Sequence, residues 1–205
     1  INYLKKMLKN KTYTIPYKRK RKSKTDYKKR IKYISSNKTR IVVRITSNNI
    51  KIQAIDFKED GDKVIFTTNS TDLRKIGWKG STKSIPAAYL TGLMTGVKFK
   101  HKIKEGVIDL GLNSITKGTR FPAVIKGIAD SGIKTYYSEE IFPDEEQISG
   151  QTIAKFSKNL KQTSPEVYKK QFSKYLKEGF SPEDLPINFK KVKDKINGEQ
   201  AKNDE

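Results

Sequence analysis

The apolar residues from position 26 to position 68 follow one helical pattern and then three strand patterns. A spacing of three and four residues predicts a short amphipathic helix over 26–36, with Thr25 or Asp26 placed to cap its first turn. Three β-branched or alternating segments follow, separated by two short polar turns. The predicted strands cover 41–46, 50–57 and 64–68. This arrangement predicts an antiparallel meander.

The next part of the chain predicts two helices on either side of one short strand. The predicted elements are a helix from a Ser84 cap to Gly106, a strand over 107–110 and a helix over 121–131. Gly92 and Gly96 weaken the first of these helices, so we expect their backbone to pack closely on a sheet in compensation. A meander followed by helix, strand and helix predicts an α/β layer structure with a mixed sheet.

The density of apolar residues falls after Gly150. Two helices are predicted to begin at Ser164 and at Ser181, and Gly179 is expected to stop the first of them. Both are too short to be stable alone, so they are expected to dock on the core or on a partner. The predicted organisation is an arm over 1–24, an α/β core over 25–150 and a helical extension over 151–205 with a disordered tail after Gly198.

The net charge of +22 lies mostly at the start of the chain. The first 40 residues hold 16 Lys and Arg against one acidic residue, whereas residues 41–150 carry a net charge of only +3. The basic run 18–22 repels itself and predicts an extended or disordered arm. Half of the ten tyrosines lie among the cations of the first 40 residues, at Tyr3, Tyr13, Tyr17, Tyr27 and Tyr33. Cations that alternate with aromatic rings favour RNA or DNA as the partner. A solvated tail or a nuclear-import signal is the alternative. A membrane-surface arm is disfavoured, because no stripe of large apolar residues accompanies the charge.

The sequence offers little for catalysis or for metal binding. Cysteine is absent, and His101 is the single histidine, so we expect it at the edge of the core or at the surface. Asp56, Asp109 and Asp130 invite comparison with nuclease carboxylates, yet each falls at the end of a predicted element. The longest apolar stretch is about 13 residues, short of the ~20 that span a bilayer. No enzymatic activity, metal or cofactor is predicted.

Two loops and one tryptophan are candidates for RNA contact. The loop Thr116–Arg120 leads into a helix with two cations and two hydroxyls, which favours an anion site over a cap beside chance cations. Asn48 and Asn49 form either a plain turn or a polar tip aimed at RNA. Trp78 could stack on a base, but packing in the core or a loop is favoured.

Several ordered segments resemble the large-ribosomal-subunit protein family that binds 5S rRNA, family eighteen in the universal nomenclature and the fifth protein in eukaryotic naming. The resemblance runs from Tyr13 to about Gly198. It rests on the segments Pro16–Tyr27, Arg40–Arg44 with Ser47–Asn49, Gly77–Gly80, Pro86–Leu93, Asp109–Leu112, Lys126–Gly127, Asp130–Gly132 and Ile141–Asp144. The absence of a long insertion between Val107 and Thr116 looks archaeal.

The resemblance implies an RNase-H-like α/β core without nuclease activity, in a cytoplasmic ribosome. It implies binding to 5S rRNA in the central protuberance, an arm that reaches large-subunit rRNA, and neighbouring ribosomal proteins as partners. The predicted RNA-binding residues are Tyr17, Lys18, Arg19, Lys20, Arg21, Lys22, Lys24, Tyr27, Lys28, Arg30, Arg44, Asn48, Asn49, Thr116, Lys117, Gly118, Thr119 and Arg120. Two alternatives stay open: a general RNA or polyanion binder, and an RNA-processing nuclease that uses the same core.

Overall fold

In the computed structural model the described residues are 14–204, with side chains described as far as 198. Six helices of seven or more residues and four strands make up the fold of these residues. In chain order they are α1 (Tyr27–Ser35), β1 (Thr39–Ile45), β2 (Ile50–Asp56), β3 (Lys63–Asn69), α2 (Ile85–Phe99), β4 (Gly106–Asp109), α3 (Arg120–Asp130), α4 (Gln151–Thr163), α5 (Pro165–Gln171) and α6 (Leu185–Asp204). Single helical turns occupy Lys18–Arg21, Leu73–Ile76, Glu145–Ser149 and Ser173–Lys177.

The four strands form one mixed sheet in the order β3-β2-β1-β4. The predicted meander is confirmed, because β1, β2 and β3 pair antiparallel, and β4 adds to β1 as a parallel strand. In β1, Ile41 and Val43 turn one way into the core, whereas Arg40 and Arg44 alternate with them toward the other face. The sheet therefore has one apolar face and one charged face.

Helix α2 is the centre of the core. Ser84 caps it as predicted, accepting a hydrogen bond from the backbone N–H of Ala87 at 3.4 Å. All residues from Pro86 to Val97 are buried, because α2 packs against the sheet, α3 and α6. Two threonines are buried in this helix without an unpaired polar group. The hydroxyls of Thr91 and Thr95 each donate a hydrogen bond to the backbone oxygen of the residue one turn earlier.

The glycines of α2 face a helix, and the expectation that they pack on a sheet is wrong. A Cβ placed on Gly92 would lie 2.3 Å from the backbone oxygen of Val124 in α3. From the other side, a Cβ on Gly127 would lie 2.2 Å from the oxygen of Tyr89. The two helices therefore touch backbone to backbone, which larger residues would prevent.

The C-terminal helices dock on the core. Their short length predicts docking either on the core or on a partner, and the structure shows the first. Leu185, Phe189, Val192 and Ile196 of α6 enter the same apolar cluster as the sheet and α2. Helix α6 continues past Gly198 to Asp204, where a disordered tail is expected from the sequence. The proposed division at 24 and 150 remains a prediction.

Three elements differ from the sequence expectation. Helix α2 ends at Phe99, and Gly106, expected to end it, instead begins β4. Helix α4 was not predicted. The predicted helix after Ser164 is divided into α5 and the turn Ser173–Lys177.

The described part of the basic arm contains one helical turn over Lys18–Arg21, where an extended or disordered arm is expected. The ring of Tyr17 lies 5.2 Å from that of Tyr27, and Arg19 Nε donates to the Thr25 hydroxyl at 2.8 Å. These contacts fold the segment back on the start of α1. Residues 1–13 of the arm lie outside the described residues. No helix among residues 14–204 is long and apolar enough to cross a membrane.

Candidate nucleic-acid interface

The predicted RNA-binding residues fall on two separate surfaces. The first, which we call the sheet groove, is a cavity of about 390 Å³ on the charged face of the sheet, between α1 and the segment before it. It is lined by Arg19, Lys24, Lys29, Arg30, Arg40 and Arg44 as cations, and by Asp26, Asp62 and Asp109 as acids. The excess of cations favours an anionic ligand.

The arm and α1 present further cations around the sheet groove. Lys18, Lys20, Arg21, Lys22 and Lys28 are all exposed. Asp26 caps α1, as one of the two predicted candidates, by accepting hydrogen bonds from the backbone N–H groups of Lys28 and Lys29. The cap fixes where α1 begins, and so sets the position of Tyr27 and Lys28 beside the groove.

A network of ion pairs lies beneath the groove. Arg40 is only 4% exposed, and its Nη2 lies 2.7 Å from Asp62 Oδ2 while its Nη1 lies 3.5 Å from Asp109 Oδ2. Arg30 donates to both carboxylate oxygens of Asp62, at 3.1 and 3.0 Å. Arg44 donates to the backbone oxygen of Asp109 at 2.9 Å. The network fastens α1 to the sheet and to the turn before β3.

Burial and charge shift the pKa values of two residues that line the sheet groove, Asp62 and Tyr33. Burial alone would raise the pKa of Asp62, yet the hydrogen bonds and charges of Arg40 and Arg30 together hold that pKa below its ordinary value. Burial raises the pKa of Tyr33, and the charge of Asp109 adds to the effect. Asp62 is therefore ionised and Tyr33 neutral at physiological pH.

The second surface, which we call the loop surface, comprises the turn Ser47–Asn49, the segment Lys79–Lys83 and the loop Thr116–Arg120. Asn48 and Asn49 line a cavity of about 640 Å³ together with the cations Arg74, Lys79, Lys83 and Lys174. The Thr82 hydroxyl donates to the backbone oxygen of Asn48 at 2.7 Å, which joins the first two segments. Both asparagines are exposed.

The loop Thr116–Arg120 ends where α3 begins. Gly118 has a left-handed φ of +70° and donates its N–H to the oxygen of Ile141 at 3.1 Å. The Thr119 hydroxyl donates to the oxygen of Thr116 and does not cap the helix. Lys117 and Arg120 are exposed beside this uncapped end, a combination that attracts anions.

The two parts of the loop surface adjoin each other. Ser81 and Lys83 line both the cavity that contains the asparagines and a second groove, described below, that contains Gly118, Thr119 and Arg120. Arg19, Lys24, Arg30 and Arg44 instead line the sheet groove. The other predicted residues of the arm, with Tyr27 and Lys28, are neighbours of these residues in the chain and do not line the groove themselves. The predicted residues thus form two groups and not one site.

Several lining residues were not predicted to contact RNA. Arg40, Lys29 and Tyr33 line the sheet groove, and Lys83 and Lys174 line the loop surface. The alternation of Arg40 and Arg44 with buried apolar residues in β1 is a signal that could have placed both arginines on one face. The cations of the loop surface follow no comparable alternating pattern in the sequence.

The acids and the aromatic candidates have local structural partners. Asp56 accepts a hydrogen bond from Thr39, Asp130 accepts one from Tyr89, and Asp109 is held by the arginines, so the three acids serve three different places. Among residues 14–204 no group of three or more acids and histidine could hold a metal ion. His101 is exposed in the turn after α2. Trp78 is 2% exposed, which confirms the prediction that it packs in the core.

Comparison with known proteins gives the family. A model described as ribosomal large subunit proteins 60S L5 and 50S L18 matches residues 11–106. The large ribosomal subunit protein uL18 of Methanococcus maripaludis is 41% identical over 191 residues, which are 93% of this chain and 98% of that protein. The chain therefore belongs to the family of large-ribosomal-subunit proteins that comprises L18 and L5.

Proposed function

We propose that this protein binds 5S rRNA and anchors it to large-subunit rRNA in the central protuberance of the large ribosomal subunit. Its place in the cell is the cytoplasmic ribosome, and its role there is structural and not catalytic. Its further partners are neighbouring large-subunit proteins of the central protuberance. Family membership supports the place in the ribosome. The two separate surfaces of the interface support contacts with two different RNAs.

The observation that carries the proposal is the presence of two separate surfaces lined by cations on one core. A protein that holds one RNA against another needs two groups of phosphate contacts, because each RNA segment occupies its own surface. The arm and the sheet groove serve large-subunit rRNA, whereas the loop surface grips 5S rRNA. Lys and Arg at both surfaces supply the phosphate contacts, and Tyr17 and Tyr27 offer rings to unpaired bases.

Not every predicted residue contributes in the same way. Arg30 already donates Nη2 to both carboxylate oxygens of Asp62, so it contacts RNA only through its remaining donors and otherwise positions α1. Asn48, Asn49 and the exposed cations Lys117 and Arg120 can be reached by a ligand at the surface. Gly118 contributes through its backbone, which shapes the loop.

The RNA that accompanies the protein from its own cells tests this proposal. The protein, tagged at the C-terminus and released from large subunits by a chelator of Mg²⁺, is expected to carry 5S rRNA in about equal amount. Recovery of transfer RNA, messenger RNA and DNA in proportion to their abundance would instead identify a general polyanion binder. Shortened RNA that appears only with added Mg²⁺ would support the nuclease alternative.

A further inference from the structure

A third cavity, the aromatic groove, lies beside the loop surface. It has a volume of about 1080 Å³ and lies between the end of β1, the first turns of α2 and α3, and the helices α4 and α5. Ile45, Ile153, Phe156 and Phe172 give it apolar walls, while Lys83 and Arg120 lie at the same groove as cations. Of the residues that the structure describes, no acidic one lines it.

Phe156 is the accessible ring of this groove. Its side chain on α4 is 51% exposed, whereas several other phenylalanines of the protein are buried. Its ring centre lies 6.5 Å from that of Phe172, and the planes are tilted by 58°. Phe172 is itself only 6% exposed. The buried ring supports the exposed one from the side.

A second contact fixes the segment before α2 beside this groove. The Tyr175 hydroxyl accepts a hydrogen bond from the backbone N–H of Ser81 at 3.0 Å, so this segment is joined to the turn after α5. Both residues line the aromatic groove, so a contact of the fold sets the position of this part of its lining.

We propose that the aromatic groove takes an unpaired base of the bound rRNA, which stacks on Phe156 while its phosphate contacts Arg120 and Lys83. This inference rests on the proposed function, because it assigns a nucleotide to the same RNA-binding surface. Single-stranded nucleic acid is typically held by an exposed aromatic ring beside cations. The sign of the charge agrees, and Ser81 and Lys83 make the groove continuous with the loop surface.

Tryptophan fluorescence reports stacking directly. Phe156→Trp places an indole in the groove, and its fluorescence is expected to be quenched on titration of the full chain with 5S rRNA. The native Trp78 is buried and gives a constant background. Val167→Trp is the matched control, because Val167 is 50% exposed on α5 and does not line the groove. Its fluorescence is expected to stay unchanged.

Affinity separates stacking from simple apolar contact. Phe156→Ala is expected to weaken 5S rRNA binding about 5- to 140-fold, as the loss of one stacked base does. Phe156→Leu keeps an apolar side chain without a flat ring, so this variant should lose nearly as much affinity for 5S rRNA as Phe156→Ala. Melting curves of both variants establish that they are folded.

Wild-type affinity in Phe156→Ala, together with unquenched indole fluorescence in Phe156→Trp, would overturn the base site and leave the proposed binding of 5S rRNA intact. Failure of the wild-type protein to bind 5S rRNA would overturn the site and the proposed function together.

Discussion

Arg40 is the residue on which the charged face of the sheet depends. A buried guanidinium without a partner is costly, and Asp62 is its nearest carboxylate at 2.7 Å. Asp62 is partly exposed and also holds Arg30, so it joins α1, β1 and the turn before β3. The ion pairs beneath the sheet groove therefore stabilise the surface as well as contributing to its charge.

Asp62→Asn is expected to lower the free energy of unfolding by about 1–3 kcal/mol at pH 7, since it leaves Arg40 with only its longer contact to Asp109. The folded-state pKa of Asp62 lies below its unfolded value. Its stabilising effect is thus fully present above the unfolded pKa of about 3.9 and is lost as the pH falls through the folded value. Urea unfolding between pH 7 and pH 3 measures this.

The difference in stability between wild type and Asp62→Asn should accordingly shrink in acid. Asp60→Asn, an exposed acid in the same turn, is the control and should unfold like the wild type within about 0.5 kcal/mol. A difference that stayed constant from pH 7 to pH 3 would contradict the assigned role of the Asp62 carboxylate.

The exposed cations of the loop Thr116–Arg120 give a second prediction. Lys117→Ala with Arg120→Ala is expected to weaken 5S rRNA binding by about 2–4 kcal/mol, because two charge-assisted contacts are lost. The stability of the free protein should change by less than about 1 kcal/mol, since both side chains are exposed. RNA titrations at two salt concentrations and melting curves measure the two effects.

A matched pair of substitutions controls for charge alone. Lys169→Ala with Lys170→Ala removes the same charge from the exposed side of α5 and should weaken binding much less. Equal losses in both double variants would show that only net charge matters. A large loss of stability in the loop variant would make the loop a structural cap.

Among the elements, the contact between α2 and α3 depends most on the absence of side chains. Gly127→Ala is expected to destabilise the protein by about 1–3 kcal/mol, because the new Cβ would overlap the backbone of Tyr89 and Leu93. The gain of about 1 kcal/mol in helix propensity cannot offset that overlap. Thermal or urea unfolding measures the change.

Gly198→Ala is the control for helix propensity. A Cβ there would meet no atom within 4 Å, so this substitution should leave stability unchanged or raise it by up to about 1 kcal/mol. If Gly127→Ala were as stable as Gly198→Ala, the close approach of the two helices would be refuted.

The elements that the sequence predicts well have strong periods and clear ends. The three meander strands lie within one or two residues of their predicted bounds, because alternation and short polar turns set them. Helix α4 was missed since its N-cap, Gly150, offers no side chain to cap it and the helix has few apolar residues. Its stability comes from packing on neighbouring elements, which local sequence does not show.

Over the full chain, the uneven charge of the sequence predicts a polyanionic partner but not the geometry of the interface. The arm and the loop Thr116–Arg120 were identified from charge, hydroxyls and glycine in short segments. Their separation into two surfaces, and the ion pairs of Arg30 and Arg40, depend on which strands pair and which helices cover them. Contacts between residues that are distant in the chain produce no periodic pattern of residue types in the sequence.

If the proposed function holds, these surfaces are expected to select 5S rRNA and not merely to attract phosphate. The most direct measurement is a titration of the wild-type chain with 5S rRNA and with duplex DNA of the same length, at two salt concentrations. A preference for 5S rRNA of about a thousandfold or more is expected, as for specific over non-specific binding of nucleic acid. Equal affinity for the two nucleic acids at both salt concentrations would contradict the account.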